Sequence, residues 1–248
     1  MIYELKITWR TIRKEGWGSF FNKLATYFRQ FSQGVFFMFR HLPRNVPPDQ
    51  LVDFGLNASS GFLQMCQVRS EIVQAANLVA QRQPKTVVEI GTAHGGTLFL
   101  WCRLAHPEAT VVSIDLPGGI HGGGYPYWKS FIYRRFPVAR QKLHLLRGDS
   151  HKPEMLASLK TLLPGDGKVD LLFIDGDHTY NGVKSDFEMY RSLVRPGGII
   201  LFHDICVMAP ELNCQVDVLW NELKQKLRTS EFIENAGQGR FGIGVVEV

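Results

Sequence analysis

The sequence predicts an α/β fold with a doubly wound, mostly parallel sheet, on three grounds. Apolar runs alternate with helical patterns along residues 67–228, which is typical of parallel strands joined by right-handed crossovers. Several runs end in polar clusters, and parallel strands would gather these clusters at the sheet edge where such folds bind ligands. The last two runs are joined by a short glycine-containing link. Since such a link cannot carry a helical crossover, the final strand should be antiparallel.

Hydrophobic periodicity places the elements in chain order. A helix is predicted first, over residues 67–82, because its apolar residues recur three and four positions apart. The predicted strands lie at 85–90, 110–115, 142–147, 169–175, 198–204, 232–235 and 241–248. The other predicted helices lie at 97–105, 153–162, 180–193 and 214–228.

Length and composition fit one such domain with additions. The chain has 248 residues, of which 45% are hydrophobic, enough for a full core. Its four cysteines form no C-x-x-C pair and no secretory signal pattern is present, so reduced thiols and a cytoplasmic location are predicted. Charges interrupt every apolar run before it reaches ~18 residues, so no membrane-spanning helix is predicted.

The positive charge is confined to one end of the chain. Residues 1–50 contain eight Lys and Arg against three Asp and Glu, which accounts for the whole net charge of +5. Residues 51–248 are therefore neutral overall. A nucleic-acid-binding domain would spread basic residues over its body, so the sequence argues against a nucleic-acid partner.

Residues 17–39 form a basic, phenylalanine-rich amphipathic pattern that predicts a helix. We favour a helix that packs on the domain or on a second subunit of a homo-oligomer, since aromatic stripes are more often core than membrane anchor. The alternative is a helix that makes peripheral contact with a membrane. Residues 42–48 contain three prolines and are typical of a linker, so residues 1–50 are predicted to be an appendage to a domain at 51–248. The stripe comprises Phe20, Leu24, Phe28, Phe31 and Val35.

Residues 116–137 form a long insertion, rich in glycine and aromatic residues, after the second predicted strand. A loop of this size at the ligand-binding edge of a sheet is more often a functional lid than a connector. We therefore predict a lid, which would stack on an acceptor or cover a cofactor. Its characteristic residues are Gly118, Gly119, Gly122, Gly123, Gly124, Tyr125, Tyr127, Trp128, Phe131 and Tyr133.

A glycine-rich loop follows the first predicted strand, in the segment Glu-Ile-Gly-Thr-Ala-His-Gly-Gly-Thr from Glu89 to Thr97. Gly91 would let the chain turn off the strand, and Gly95 would let the backbone approach a ligand as the next helix begins. The helix N-terminus favours an anionic group, to which the Thr97 hydroxyl could add a hydrogen bond. The segment is not G-x-G-x-x-G, so a dinucleotide site is not indicated.

Two further carboxylates end the second and third predicted strands. Asp115 lies about 20 residues past the glycine loop, the spacing of a carboxylate that binds ribose hydroxyls. The alternative role for Asp115 is a turn or cap. Asp149 and Ser150 would lie at the same edge, where an adenine could be read or where the next helix could be capped.

Acid and imidazole side chains end the fourth and fifth predicted strands. Asp175 and His178 follow one strand, and His203 and Asp204 end the next. Ionisable groups are costly near a core unless they have a task. We predict that Asp175, His203 and Asp204 could share a divalent cation, and that His178 could act as a general base.

These motifs resemble class I S-adenosylmethionine-dependent methyltransferases over about residues 67–248. Within that class the chain is similar to small-molecule O-methyltransferases related to the macrolide-sugar methyltransferases and the cephalosporin-hydroxylase-like group, and more distantly to catechol O-methyltransferase. The resemblance rests on Ile-Asp-Gly-Asp-His-x-Tyr at 174–180, Leu-x-x-Pro-Gly-Gly at 193–198, Phe-His-Asp at 202–204 and the glycine loop.

The resemblance implies a seven-stranded sheet in the order 3-2-1-4-5-7-6 with strand 7 antiparallel. It implies that Asp115 holds the ribose of S-adenosylmethionine, with Asp149 and Ser150 beside the adenine, and that Asp175 also lines the cofactor site. It implies a cation held by Asp175 and the pair His203-Asp204. Magnesium prefers oxygen ligands, so His203 leaves three alternatives: a softer ion such as manganese, a site in which His203 is not a ligand, or no metal. The loop residues that would hold the methionine part of the cofactor are Glu89, Gly91, Thr92, Ala93, Gly95 and Thr97.

The implied activity is methyl transfer to a hydroxyl of a sugar or other natural-product small molecule, with His178 accepting the proton. The alternative is a non-catalytic module that binds a partner or membrane through residues 1–50. A nicotinamide oxidoreductase is disfavoured because G-x-G-x-x-G is absent.

Overall fold

The computed structural model describes residues 2–39, 42–57, 63–118, 124–235 and 237–248. Its centre is a seven-stranded sheet in the order β3-β2-β1-β4-β5-β7-β6. Strand β7 is antiparallel to both of its neighbours, and the other pairings are parallel, which confirms the predicted topology. The strands are β1 (Thr86–Ile90), β2 (Thr110–Asp115), β3 (Lys142–Arg147), β4 (Val169–Ile174), β5 (Val194–His203), β6 (Arg228–Phe232) and β7 (Ile243–Glu247).

Eight α-helices accompany the sheet in the described part of the chain. The first is broken at Gly16, whose φ of 80° is not helical. The helices are α1 (Ile2–Phe39), α2 (Pro48–Asn57), α3 (Arg69–Arg82), α4 (Gly96–Leu104), α5 (Lys129–Tyr133), α6 (Pro153–Leu162), α7 (Tyr180–Tyr190) and α8 (Val216–Lys224). No described helix is both long enough and apolar enough to cross a bilayer.

The central strands are buried on both faces, which explains their continuous apolar sequences. Every residue of β1 and β2 is buried. One apolar cluster lies between the sheet and the side that carries α2, α3 and α4, and a second lies on the side that carries α6, α7 and α8. The two layers fix the strand ends rigidly, and these ends carry the polar clusters.

The structure corrects two predictions near the last strand pair. The predicted strand at 232–235 is wrong, because the observed strand β6 runs from Arg228 to Phe232. The predicted helix at 214–228 is too long, because α8 ends at Lys224. The cause is the position of β6 at the sheet edge, where the polar sequence Arg-Thr-Ser-Glu-Phe leaves three of five residues exposed.

Residues 42–47 do form a non-helical connection, but Pro48, the last residue of the predicted linker, begins α2, which was not predicted. Leu42 and the α2 residues Leu51 and Val52 are part of the core. The carbonyl oxygen of Pro43 also accepts a 2.7 Å hydrogen bond from Nε of Arg103. The segment that follows α1 is therefore held against the sheet-covering helices.

The glycine-rich insertion folds back onto the domain. Its described parts, 116–118 and 124–137, contain the short helix α5, whereas Gly119, Gly122 and Gly123 lie outside the described residues. The insertion contributes Tyr125, Tyr133 and Phe136 to the core, while Tyr127 and Phe131 are exposed. We call residues 124–136 the lid segment.

Candidate functional site

The glycine loop and the acid/imidazole cluster are in direct contact at the carboxyl ends of β1 and β4. Gly91 has φ of 88°, and a Cβ atom there would lie 1.9 Å from the carbonyl oxygen of Asp175. The Asp175 N–H donates a 2.8 Å hydrogen bond to the Ile90 carbonyl, which holds the two strand ends together. Only glycine fits both this conformation and this approach, so the predicted turn at Gly91 is observed.

Glu89 is fully buried beneath the glycine loop. Its Oε2 accepts a 3.0 Å hydrogen bond from the Thr92 hydroxyl, which also lies against the Ser113 hydroxyl. Burial raises the pKa of Glu89 to about 8, although hydrogen bonds from Thr97 and Thr92 oppose the shift. Its other oxygen, Oε1, is buried and has no hydrogen-bond partner in the part of the chain that the structure describes. A buried acceptor without a partner is costly, so this atom suits a polar ligand in the loop.

Asp115 ends β2 with its carboxylate facing the same loop. Oδ1 accepts a 3.3 Å hydrogen bond from the Thr92 N–H, and Oδ2 accepts one of 3.2 Å from the Tyr125 N–H. Burial raises the pKa of Asp115 to about 6, while these hydrogen bonds and the charge of Arg147 oppose the shift. The carboxylate therefore links the glycine loop to the lid segment.

The lid segment covers the glycine loop through contacts that the sequence did not predict. The Tyr133 ring packs directly against Gly95, so that a Cβ atom added to Gly95 would lie only 2.6 Å from the nearest ring atoms. The Tyr133 hydroxyl donates a 3.2 Å hydrogen bond to the carbonyl of Ala93, which has φ of 43°. Nη1 of Arg147 donates a 2.6 Å hydrogen bond to the Tyr125 carbonyl. The glycine loop, Asp115 at the end of β2 and Arg147 at the end of β3 thus hold the lid segment against the loop.

Lys129 is a buried cation at this contact, and no motif in the sequence marks it. Its Nζ lies 3.3 Å from Nδ1 of His94 in the glycine loop. Burial lowers the pKa of Lys129 to about 8. Burial and the charge of Lys129 also lower the pKa of His94. Lys129 therefore joins the lid segment to the loop predicted to hold the methionine part of a cofactor.

Asp149 and Ser150 follow β3, as predicted, and their polar groups shape the turn into α6. Oδ1 of Asp149 accepts a 3.0 Å hydrogen bond from the His151 N–H. The Ser150 carbonyl accepts a 2.7 Å hydrogen bond from the Tyr190 hydroxyl. The helix-cap role predicted as the alternative for this pair is not observed, because the cap residue of α6 is Lys152 and no side chain caps the helix. The pair instead stabilises the turn before α6, and a contact with adenine stays a prediction.

Asp175, His178, His203 and Asp204 converge at the ends of β4 and β5. Nε2 of His178 lies 3.4 Å from Oδ1 of Asp175 and 3.4 Å from Oδ2 of Asp204. Nδ1 of His203 lies 3.1 Å from Oδ1 of Asp175 and 3.3 Å from Oδ1 of Asp204. Two imidazoles therefore bracket two carboxylates.

The charges of this cluster stabilise one another. Burial would raise the pKa of Asp175, but the nearby His203 and His178 outweigh it and lower that pKa below its usual range. Burial would lower the pKa of His178, but the hydrogen bond to Asp175 and the charges of Asp175 and Asp204 raise it overall. The same two carboxylates raise the pKa of the buried His203 well above its usual value. The arrangement thus favours an ionised Asp175 beside two protonated imidazoles.

The donor set fits a divalent cation. Ligand atoms of Asp175, His178 and Asp204 all lie within 4.8 Å of one another. Oδ1 of the buried Asp204 accepts no hydrogen bond within the described ranges, and Asp204 has the left-handed φ of 64°. Such a conformation in a non-glycine residue is costly and is typical of functional sites. Ligation by His203, as predicted, stays a prediction, because its Nδ1 here faces the carboxylates and its Nε2 is buried without a partner among the described residues.

A separate cavity of about 390 Å³ lies at the opposite edge of the sheet. Its polar lining is engaged in structural contacts. Asp170 accepts hydrogen bonds from the N–H groups of Lys85 and Thr86 and lies 2.8 Å from Nε of Arg195. We place the candidate site at the carboxyl edge instead, because ligands of open α/β sheets bind there.

Comparison with known proteins agrees with the fold. Residues 88–205 match the family model described as a methyltransferase domain. An O-methyltransferase from Bacillus cereus in complex with SAH is 16% identical with a TM-score of 0.52, over 84% of this chain and 93% of that one. TomG from Streptomyces achromogenes, an O-methyltransferase involved in tomaymycin synthesis and solved with SAM, is 16% identical with a TM-score of 0.55, over 88% and 96%.

A third solved structure and two curated relatives complete the comparison. MycE methyltransferase from the mycinamycin biosynthetic pathway, in complex with Mg, SAH and mycinamycin VI, is 17% identical with a TM-score of 0.53, over 82% of this chain and 55% of that one. The uncharacterized protein y4gI of Sinorhizobium fredii is 33% identical over 135 residues, which are 51% of this chain and 14% of that protein. The uncharacterized protein R132 of Acanthamoeba polyphaga mimivirus is 33% identical over 124 residues, 50% of this chain and 53% of that protein. The chain thus matches less than two thirds of the length of either curated relative.

The sheet order, the glycine loop and the matched region together define a protein of the class I methyltransferase fold. The family match covers residues 88–205, fewer than half of the chain's 248 residues, and the likeness to the solved structures is one of fold.

Proposed function

We propose that this chain is an S-adenosylmethionine-dependent O-methyltransferase that acts on a hydroxyl group of a sugar or other natural-product small molecule, assisted by a divalent cation. The observation that carries the proposal is the contact between Gly91 and Asp175. It brings the loop that we propose to bind the cofactor against the acid/imidazole cluster, and transfer from a bound donor to an ionising hydroxyl requires such proximity.

The chain's own groups fit the cofactor. The unpartnered Oε1 of Glu89 and the amides of the glycine loop suit the ammonium and carboxylate of a methionine moiety. Asp115, the carboxylate at the end of β2, suits a ribose diol. Lys129 adds a cation beside the loop, where it would favour the carboxylate. When bound, the cofactor supplies a methyl group on a sulfonium centre.

The cluster fits the remaining chemistry. Asp175 and Asp204 would hold the cation, which when bound lowers the pKa of an acceptor hydroxyl. His178 lies between these carboxylates and is part-exposed, so it can reach a substrate. A cation held by the carboxylates would oppose the rise in the His178 pKa, and in its neutral form the imidazole would accept the substrate's proton. His203 is buried and keeps Asp175 ionised, so its role is positioning.

The acceptor class is proposed from the lid segment and from the relatives. Tyr127 and Phe131 are exposed on the lid segment, which contacts the glycine loop. Their rings offer aromatic faces for a sugar ring or an apolar scaffold. TomG is described as involved in tomaymycin synthesis, and MycE was solved with mycinamycin VI. Both descriptions support a natural-product acceptor for this chain.

The test is a turnover assay with S-adenosylmethionine, a panel of hydroxylated sugars and polyketides, and added magnesium or manganese. We expect S-adenosylhomocysteine to form only with certain hydroxyl acceptors and the product to gain one methyl ether. Methylation of amines or carbon atoms in place of hydroxyls would contradict the proposed acceptor chemistry. Cofactor binding without turnover of any acceptor, under all metal conditions, would favour a non-catalytic module.

A further inference from the structure

Helix α1 carries an aromatic face that the domain leaves largely exposed. Trp17, Phe21, Leu24, Phe28 and Phe31 are spaced alternately four and three residues apart, so they form one stripe along the helix. All five are exposed, and Trp17 and Phe28 have exposed fractions of 61% and 62%. A contiguous exposed apolar surface of this kind marks an interaction site.

The flank of α1 is fixed to the lid segment. The rings of Tyr27 and Phe31 each pack edge-on against Trp128, with centroids 5.5 and 5.6 Å away. Gly34 is buried in the same helix. The orientation of the stripe is therefore set by the domain, and the lid segment adjoins it with the exposed Tyr127 and Phe131.

The charge of this region identifies the kind of partner. Helix α1 contains six basic residues against two acidic ones, a net charge of +4. If two copies of the chain paired through α1, these two positive charges would repel each other, which disfavours a symmetric dimer. An anionic bilayer surface instead offers negative headgroups for the basic residues and an acyl boundary for the aromatic rings. The basic residues of α1 are Lys6, Arg10, Arg13, Lys14, Lys23 and Arg29.

We propose that α1 docks this protein on the surface of an anionic phospholipid bilayer. The aromatic stripe enters the boundary between headgroups and acyl chains, and the helix lies along the surface. Because Trp128 joins α1 to the lid segment, the lid segment is held next to the bilayer. This inference concerns location and does not depend on the methyl-transfer chemistry.

The experiment is vesicle co-sedimentation of the full chain, with phosphatidylcholine vesicles that contain or lack phosphatidylglycerol. We expect binding to the anionic vesicles, weakened by salt, and little binding to the neutral ones. The double variant Phe21→Ser with Phe28→Ser should bind the anionic vesicles at least roughly tenfold more weakly, because it removes two rings from the stripe. Val218→Ser, which removes an exposed apolar side chain from α8, should bind like the wild type.

A second readout uses the unaltered protein and so does not depend on the folding of a variant. Brominated lipids in anionic vesicles should quench its tryptophan fluorescence, and brominated lipids in neutral vesicles should quench it much less. Failure of the wild type to bind, or equal binding to neutral and anionic vesicles, would overturn the proposal. So would a dimer in solution that the double variant converts to monomer without any effect on vesicles.

Discussion

Nδ1 of His203 lies 3.1 Å from Oδ1 of Asp175, so a buried imidazole at the end of β5 faces the carboxylate that ends β4. This contact fixes one oxygen of Asp175 and helps keep the carboxylate ionised. It also ties two strand ends together beside the glycine loop. The acid/imidazole cluster is therefore a rigid part of the sheet edge and not a feature of mobile loops.

The first prediction concerns Gly91. Gly91→Ala should destabilise the fold by roughly 2–4 kcal/mol and abolish cofactor binding, because the new Cβ would overlap the Asp175 carbonyl at a φ of 88°. Chemical denaturation and calorimetry would measure both effects. Gly165→Ala is the control, since its φ is also positive, 59°, but nothing lies within 4 Å of its Cβ. Unchanged cofactor affinity in Gly91→Ala would show that the β1–β4 contact is not part of the site.

The second prediction concerns the proposed cation. Asp204→Asn should remove stimulation by magnesium or manganese while cofactor affinity is kept, because one of two carboxylate ligands is lost. Asparagine is chosen because it tolerates the left-handed φ of 64°. Asp166→Asn removes the same charge from an exposed residue outside the acid/imidazole cluster and should behave like the wild type. Metal-stimulated turnover that survives in Asp204→Asn would exclude Asp204 as a ligand.

The third prediction separates two roles for His178. His178→Ala should lower turnover by ~10²–10⁴ with little change in cofactor affinity, the usual range for losing a general base. His178→Gln distinguishes base from ligand, because an amide oxygen can contact a cation but cannot accept the proton at neutral pH. We expect the two variants to be equally slow in steady-state assays. Recovery of activity in His178→Gln at raised metal concentration would instead assign His178 as a ligand.

The fourth prediction follows from the buried Lys129. Its pKa is about 8 in the folded state and 10.5 ordinarily, so between these values only the unfolded chain keeps the proton. The free energy of unfolding therefore contains a contribution that rises with pH across this window. The Lys129→Met variant lacks this contribution. The free energy of unfolding of the variant minus that of the wild type should therefore fall by on the order of 3 kcal/mol from about pH 7 to about pH 10. Urea unfolding of both proteins would measure this difference, and a difference that is independent of pH would contradict the burial of the charged form.

The sheet could be predicted from the sequence because its central strands are buried on both faces. Strands β1 and β2 are continuous apolar runs, and their predicted bounds agree with the structure to within a residue or so. Strand β6 lies at the edge, where polar residues suffice, so its sequence carries no such signal. The short α2 was missed because it follows directly on the prolines.

The candidate site was predictable to the extent that strand ends meet at one sheet edge. That rule brought Asp175 and Asp204 together from residues far apart in sequence. The contact of Lys129 with His94 could not be predicted, because it depends on how the insertion folds back. Likewise, no local sequence pattern predicts the contact of the Tyr133 ring with Gly95. Such contacts require the tertiary path of a glycine-rich loop.

The fifth prediction tests the central claim, and calorimetric titration with S-adenosylhomocysteine and with NAD measures it most directly. The account predicts binding of S-adenosylhomocysteine, none of NAD, and a loss of ~1–3 kcal/mol in Asp115→Asn. Because the pKa of Asp115 is about 6, the wild-type affinity should also decline as pH falls through that value, whereas Asp115→Asn should show no such decline. Tight binding of NAD with no response to S-adenosylhomocysteine would contradict the assignment of this fold to methyl transfer.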